Sequence, residues 1–254
     1  MIQSPSRSRT RVTWQRYVAA ASAVCAVTGA VAIVVAVVGG PGPGLSGYVS
    51  EAGISSSPYA AVYRGGVFGL AACLLMLAAA LPAAPADELP GGAVLGSLMS
   101  SRLPAVVRSA AQLPVVRLII GLLTGARAAS ALLVAGAVAT AVSGTVSCSD
   151  GCPLPPYDRV TVADLVHGGA SIAAVAACVF AMLAVALTTV DPVRLRVSVT
   201  AAAVALPLSA AVGLAMLTQG RGTTVGLLER LLLADIVWWA VCLATVLALS
   251  RSRP

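Results

Sequence analysis

The chain has 254 residues, 59% of them hydrophobic and only 10% charged, with a mean hydropathy of +0.96. A water-soluble domain of this length has no interior large enough for so much apolar side chain, so composition excludes one and points to an integral membrane protein. The net charge of +7 rests on 16 arginines and no lysine; because these flank apolar runs they read as topology signals, which excludes a nucleic-acid-binding role.

A helix needs about 20 apolar residues to cross the hydrocarbon core. Six stretches qualify, and they predict an all-α, polytopic bundle of six transmembrane helices over residues 17–250. The first, Tyr17–Val38, follows a basic tail over residues 1–16 that carries Arg7, Arg9, Arg11 and Arg16. It exceeds the apolar core of about 7–15 residues in a cleaved signal peptide and reads as a retained helix. The second is Ala61–Leu81. Residues 83–127 then form a connecting segment on the cytoplasmic side or at its interface, with Asp87, Glu88, Arg102, Arg108, Arg117 and Arg127. Within it Leu113–Gly125 is apolar but short and begins beside Pro114, and a seventh span there would put one of two Arg-rich termini outside. Two readings follow: Pro90–Arg127 lies along the inner leaflet, arginines toward anionic headgroups, or the third helix projects into the cytoplasm. The third to sixth spans are Ala128–Val146, Leu165–Val190, Val197–Leu217 and Leu227–Ser250, and a short tail over residues 251–254 ends the chain. Pro207 interrupts the fifth span near its middle, where a kink either lines a cavity or curves the helix.

With the N-terminus cytoplasmic, twelve arginines fall inside, and only Arg64, Arg159, Arg221 and Arg230 fall outside. That asymmetry follows the positive-inside rule and predicts a multi-pass plasma-membrane protein with both termini in the cytoplasm. The spans are rich in Ala, Gly and Val, which lets backbones approach closely.

Cys148 and Cys152 flank Ser149-Asp150-Gly151 in the predicted outer loop, where the compartment is oxidising and Gly151 permits a tight turn, so a structural disulfide is expected. As a zinc site the pair lacks two ligands, because the only histidine lies elsewhere in the sequence; as a redox motif its spacing is wrong. Cys25, Cys73, Cys178 and Cys242 fall inside spans and read as small packing residues.

Polar groups gather at the predicted outer helix ends. They are Ser50, Glu51 and Arg64 around the second span, Asp164 and His167 on one face of the fourth, and Glu229 and Arg230 opening the sixth, with Asp235 deeper. Ionisable groups at such depth face the bundle interior or water. One reading makes them ligands for a polar headgroup or a proton, with Arg64 or Arg230 neutralising a phosphate or carboxylate; the other makes them interhelical bonds that set register. A hydrolase-like arrangement would use His167 as base, Asp164 as its orienting acid and Ser171 or Ser50 as nucleophile. No multi-histidine metal motif, Walker loop or G-x-S-x-G is present, and no cofactor is expected.

The loop Ser46-Gly47-Tyr48-Val49-Ser50-Glu51-Ala52-Gly53, the segment Asp164-Leu165-Val166-His167 and the segment Gly226-Leu227-Leu228-Glu229-Arg230 resemble the bacterial membrane proteins called domain of unknown function 998. The resemblance implies six helices, recurrent polar positions at Ser50, Glu51, His167, Glu229 and Arg230, and no established activity. By architecture that family is compared with membrane proteins linked to lipid organisation. Residues 83–127 make a longer connection than the resemblance implies. The expectation is a protein that binds or senses a lipid or small amphiphile in an outer-leaflet polar pocket, with membrane lipids as partners and no oligomeric state specified. The alternatives are a proton-coupled transporter that depends on Asp235 and an intramembrane hydrolase or transferase.

Overall fold

The computed structural model describes residues 5–39, 44, 46–81, 113–125 and 127–250, and among them every regular element is helical. The helices are α1 (Pro5–Gly39), α2 (Ala60–Ala80), α3 (Pro114–Leu123), α4 (Ala128–Thr145), α5 (Val162–Thr188), α6 (Pro192–Gln219) and α7 (Thr223–Leu249), with a 3-10 turn at Val49–Gly53 between α1 and α2. Six of them, all but α3, are long and apolar enough to cross a membrane, so the chain is a multi-pass integral membrane protein.

Each spanning helix packs beside its neighbours in sequence, and α1 packs against α7, so the six form a closed ring. Arg16 Nε donates to Ala248 O (2.8 Å), tying the start of α1 to the end of α7. The 3-10 turn, the Cys148–Cys152 loop and the Gly220–Gly222 connection lie together at the opposite end.

Small residues set the spacing, because lipid offers no hydrophobic drive toward helix association and close van der Waals contact must supply it. At the α1–α2 seam a Cβ on Gly66 would sit 2.7 Å from Gly29 O, and one on Gly29 would sit 2.8 Å from Gly66 O, so the two backbones touch. The ring interior is filled by Trp239, Leu77, Leu133, Met182 and Leu243, all fully buried. Trp239 Nε1 donates to Ser198 Oγ (3.1 Å) and Ser22 Oγ to Cys73 O (2.9 Å). Such bonds between membrane helices contribute about 0.6 kcal/mol each. Val24, Val27, Val31 and Val35 of α1 and Leu214 and Leu217 of α6 are exposed on the perimeter, as a lipid-facing belt requires.

Local chemistry explains the helix starts. Asp191 Oδ1 accepts from Val193 N and Arg194 N with Pro192 at the first helical position, which opens α6. Thr161 and Asp164 form a reciprocal capping box at α5. Pro207 lies within α6, which continues through it as one helix.

α3 occupies most of the Leu113–Gly125 stretch. It is a separate ten-residue helix, too short to span, and a turn at Thr124–Arg127 divides it from α4, closed by Ala128 N donating to Gly125 O (2.9 Å). The third span therefore does not run on as one projecting rod. α3 packs against α4 and α5 with Ile120 and Leu123 buried and Leu118, Ile119 and Leu122 exposed. The rest of the Pro90–Arg127 segment, with Arg102 and Arg108, lies outside the described residues, as do residues 1–4 and 251–254.

Candidate functional site

The polar end is assembled by the turn after α1, whose groups reach the far end of the chain. Tyr48 N donates to Glu51 Oε1 (2.9 Å), folding the Glu51 side chain back over the start of the turn. Arg221, between Gly220 and Gly222, then binds Glu51 with both arms: Nε to Oε1 at 2.7 Å and Nη2 to Oε2 at 2.8 Å. That bond to Glu51 pushes the Arg221 guanidinium further up from its ordinary value. Glu229 Oε2 accepts from Val49 N (3.0 Å), so α7 holds the same turn from its other side.

The remaining arginines of the predicted set donate to backbone carbonyls. Arg230 donates to Gly47 O (3.0 Å), Gly44 O (2.6 Å) and Gly226 O (2.6 Å), and Arg64 Nη2 donates to Gly53 O (3.3 Å). Both thereby tie the segment between α1 and α2 to the bundle.

Asp164, 2% exposed, serves structure as well. Its Oδ1 accepts from Ser149 N (2.7 Å), and its Oδ2 from Ser149 Oγ (3.1 Å), Thr161 N (2.8 Å) and Thr161 Oγ1 (2.7 Å). It caps α5 and pins the loop between α4 and α5. In that loop Cys148 and Cys152 form a disulfide, and Gly151, at a φ of 80°, occupies the corner of the turn closed by Cys152 N on Ser149 O (2.9 Å).

His167, 5% exposed, does not use Asp164 as an orienting acid. Its Nδ1 lies 2.7 Å from Val146 O and 3.0 Å from Ser143 O, and two carbonyls can only accept, so Nδ1 carries the proton. In the neutral imidazole Nε2 is then the lone-pair nitrogen, and it is buried without a hydrogen-bond partner among the described residues. Ser171 Oγ donates to His167 O (2.9 Å), and Ser50 Oγ donates to Cys152 Sγ (3.3 Å). The residues named for a hydrolase relay are near one another, but their hydrogen bonds do not form one.

A cavity of about 70 Å³ opens among these groups. Its polar lining comes from Tyr48, Ser50, Asp164, His167, Ser171 and Glu229, and its apolar lining includes Leu154, Ile172 and Met216. Burial, with Glu229 and Glu51 adding, pushes the Tyr48 hydroxyl above its ordinary 10.0, so it stays protonated at neutral pH. Among the described lining residues none is an arginine, while carboxylates, hydroxyls and the His167 lone pair all accept hydrogen bonds. Ile172 is 61% exposed, so the cavity wall continues onto the perimeter of the bundle. Glu51, Arg64, Arg230 and Asp235 do not line this cavity. Asp235 Oδ2 is buried with no hydrogen-bond partner among the described residues.

The fold brings the sole histidine, distant in sequence from the cysteine pair, beside it. A ring nitrogen of His167 and the sulfurs of Cys148 and Cys152 lie within 4.8 Å of one another, all three residues buried. The sequence reading missed this, and it missed Arg221, whose signal was an arginine set between glycines just before the last helix.

The sequence model of a family described as "Protein of unknown function (DUF998)" matches residues 105–246. No curated protein and no solved structure matches the chain.

Proposed function

The chain belongs to the DUF998 family, an assignment that carries no reaction, and from that premise we propose that it binds a lipid or small amphiphile through the cavity at its Cys148–Cys152 end. The arginine asymmetry supports the reading in which that end faces the outer leaflet of the plasma membrane and both termini are cytoplasmic. The observation that carries the reading is an acceptor-rich cavity that meets the lipid-facing surface at Ile172 while offering no arginine among its described lining. A space of about 70 Å³ admits only the polar tip of an amphiphile. Acceptors without a cation select a tip that donates hydrogen bonds, an ammonium or a hydroxyl, and disfavour a phosphate. The acyl portion then lies along the exposed face of α5. Transport would route a proton through Asp235, which does not line the cavity, so binding is the reading the geometry favours.

The test is native mass spectrometry of protein from nanodiscs containing equal phosphatidylethanolamine and phosphatidylglycerol, wild type against Glu229→Gln. The glutamine keeps an acceptor for Val49 N but removes the charge. Wild type should retain the amine lipid with about tenfold preference, near 1.4 kcal/mol, and the variant should lose that preference at an unchanged melting temperature. Equal retention of both lipids by both proteins would overturn the proposal.

A further inference from the structure

We propose that Cys148, Cys152 and His167 form a thiolate–imidazole site for a d10 cation, Zn2+ or Cu+, which is available only when the Cys148–Cys152 disulfide is reduced. Three observations meet here. A ring nitrogen of His167 and the two sulfurs lie within 4.8 Å of one another, and tetrahedral zinc sets sulfur and nitrogen donors about 3.5–3.8 Å apart, so once the disulfide opens the sulfurs part and the imidazole is within reach. His167 Nε2 is buried and unpartnered, the lone pair a metal requires. Nδ1–H is held by Val146 O at 2.7 Å, the carbonyl–histidine support that fixes the tautomer of a metal-binding imidazole.

The donor set defines the cation. Two thiolates and one imidazole suit a soft or borderline ion and exclude calcium and magnesium, which take oxygen ligands. Two thiolates also neutralise the charge of Zn2+, which a buried site requires. Ser50 Oγ, 3.3 Å from Cys152 Sγ, stands next to the fourth position, which it or a water fills.

The redox step balances. A dithiol reductant exchanges with the disulfide, transferring two electrons and two protons to the cysteines and becoming a disulfide itself. Each cysteine then releases its proton as its thiolate binds the ion, so uptake of the metal releases two protons. Exchange with a small-molecule disulfide reverses both steps: that disulfide takes two electrons from the two thiolates and leaves as two thiols, the Cys148–Cys152 bond re-forms and the ion is released. Cys148 and Cys152 line the same cavity as His167, so in the reduced, loaded protein the ion takes up the imidazole nitrogen as an acceptor there. This site does not depend on the lipid reading, and its test is run in detergent without added lipid.

The experiment titrates Zn2+ against a chromophoric chelator, using intact detergent-solubilised protein either oxidised or reduced with a phosphine. Reduced wild type should bind one equivalent, and oxidised wild type and the Cys148→Ser/Cys152→Ser variant should bind none. His167→Ala should weaken binding at least tenfold. Because the chain contains one histidine, 15N-histidine NMR of wild type gives a second readout that needs no variant: Zn2+ should shift Nε2 in the reduced protein alone. Equal zinc binding by the reduced wild type and the double-serine variant would overturn the proposal, by assigning the metal to Cys25, Cys73, Cys178 or Cys242 or to an adventitious site. So would a reduced protein that takes up no zinc, or an unmoved Nε2 resonance.

Discussion

The middle of the bundle and its Cys148–Cys152 end are held together in different ways. In the middle, contacts are generic: alanine, glycine and leucine surfaces meet along helix seams, and side-chain bonds such as Trp239 to Ser198 are few. At the polar end the contacts are specific and distant in sequence, with Glu51 bound to Arg221 and Val49 to Glu229. The middle is therefore set by how closely backbones approach, whereas the end is set by matched polar partners. Lipid causes this division, since it cannot drive apolar packing yet penalises every unpartnered polar group.

Substitutions at the two regions should break in these two ways. The largest effect belongs to Gly66→Val. A Cβ there meets Gly29 O at 2.7 Å and Ile33 Cγ1 at 2.8 Å, and a backbone carbonyl cannot turn aside as a side chain can. Loss of about 3 kcal/mol or more is expected in denaturant titration, and a wild-type midpoint would show that the seam is looser than described. Next comes Asp164→Ala at the polar end. It removes the acceptor of four hydrogen bonds from Ser149 and Thr161 and should cost about 2–3 kcal/mol. Hydrogen exchange should rise in the first turn of α5 and in the Cys148–Cys152 loop while the α1–α2 seam stays protected; uniform loss of protection would mean that the two regions are not separable. The smallest effect is Glu51→Gln. Arg221 is 43% exposed, so solvent screens the pair and the loss should be about 1 kcal/mol. A double-mutant cycle with Arg221→Gln should return most of that loss as coupling, and zero coupling would make the pair incidental.

How legible each region was follows from the same division. The six spans could be read because each is a local run of about 20 apolar residues, and the family resemblance drawn from short polar motifs agrees with the match over residues 105–246. The Cys148–Cys152 pairing was also local, four residues apart. Arg221 was misread as a topology signal because its partner stands 170 residues away and meets it only when α7 closes the ring. Helical spacing put Asp164 and His167 on one face and offered them as an acid–base pair in one reading, whereas the Thr161-x-x-Asp164 capping pattern, also visible in the sequence, is what the structure forms. His167 was judged remote from the cysteines because sequence distance says nothing about loops that fold back over a helix start.

The closed ring also bears on how this molecule comes to be assembled. Adjacent helices can pair as soon as each pair is inserted, beginning with the glycine-lined seam of α1 and α2. The turn that carries Tyr48, Val49 and Glu51 must wait, because its anchors Arg221 and Glu229 follow α6 in the chain and are synthesised well after it. The polar end thus works as a latch, and a chain that has engaged it has inserted every span in the correct order.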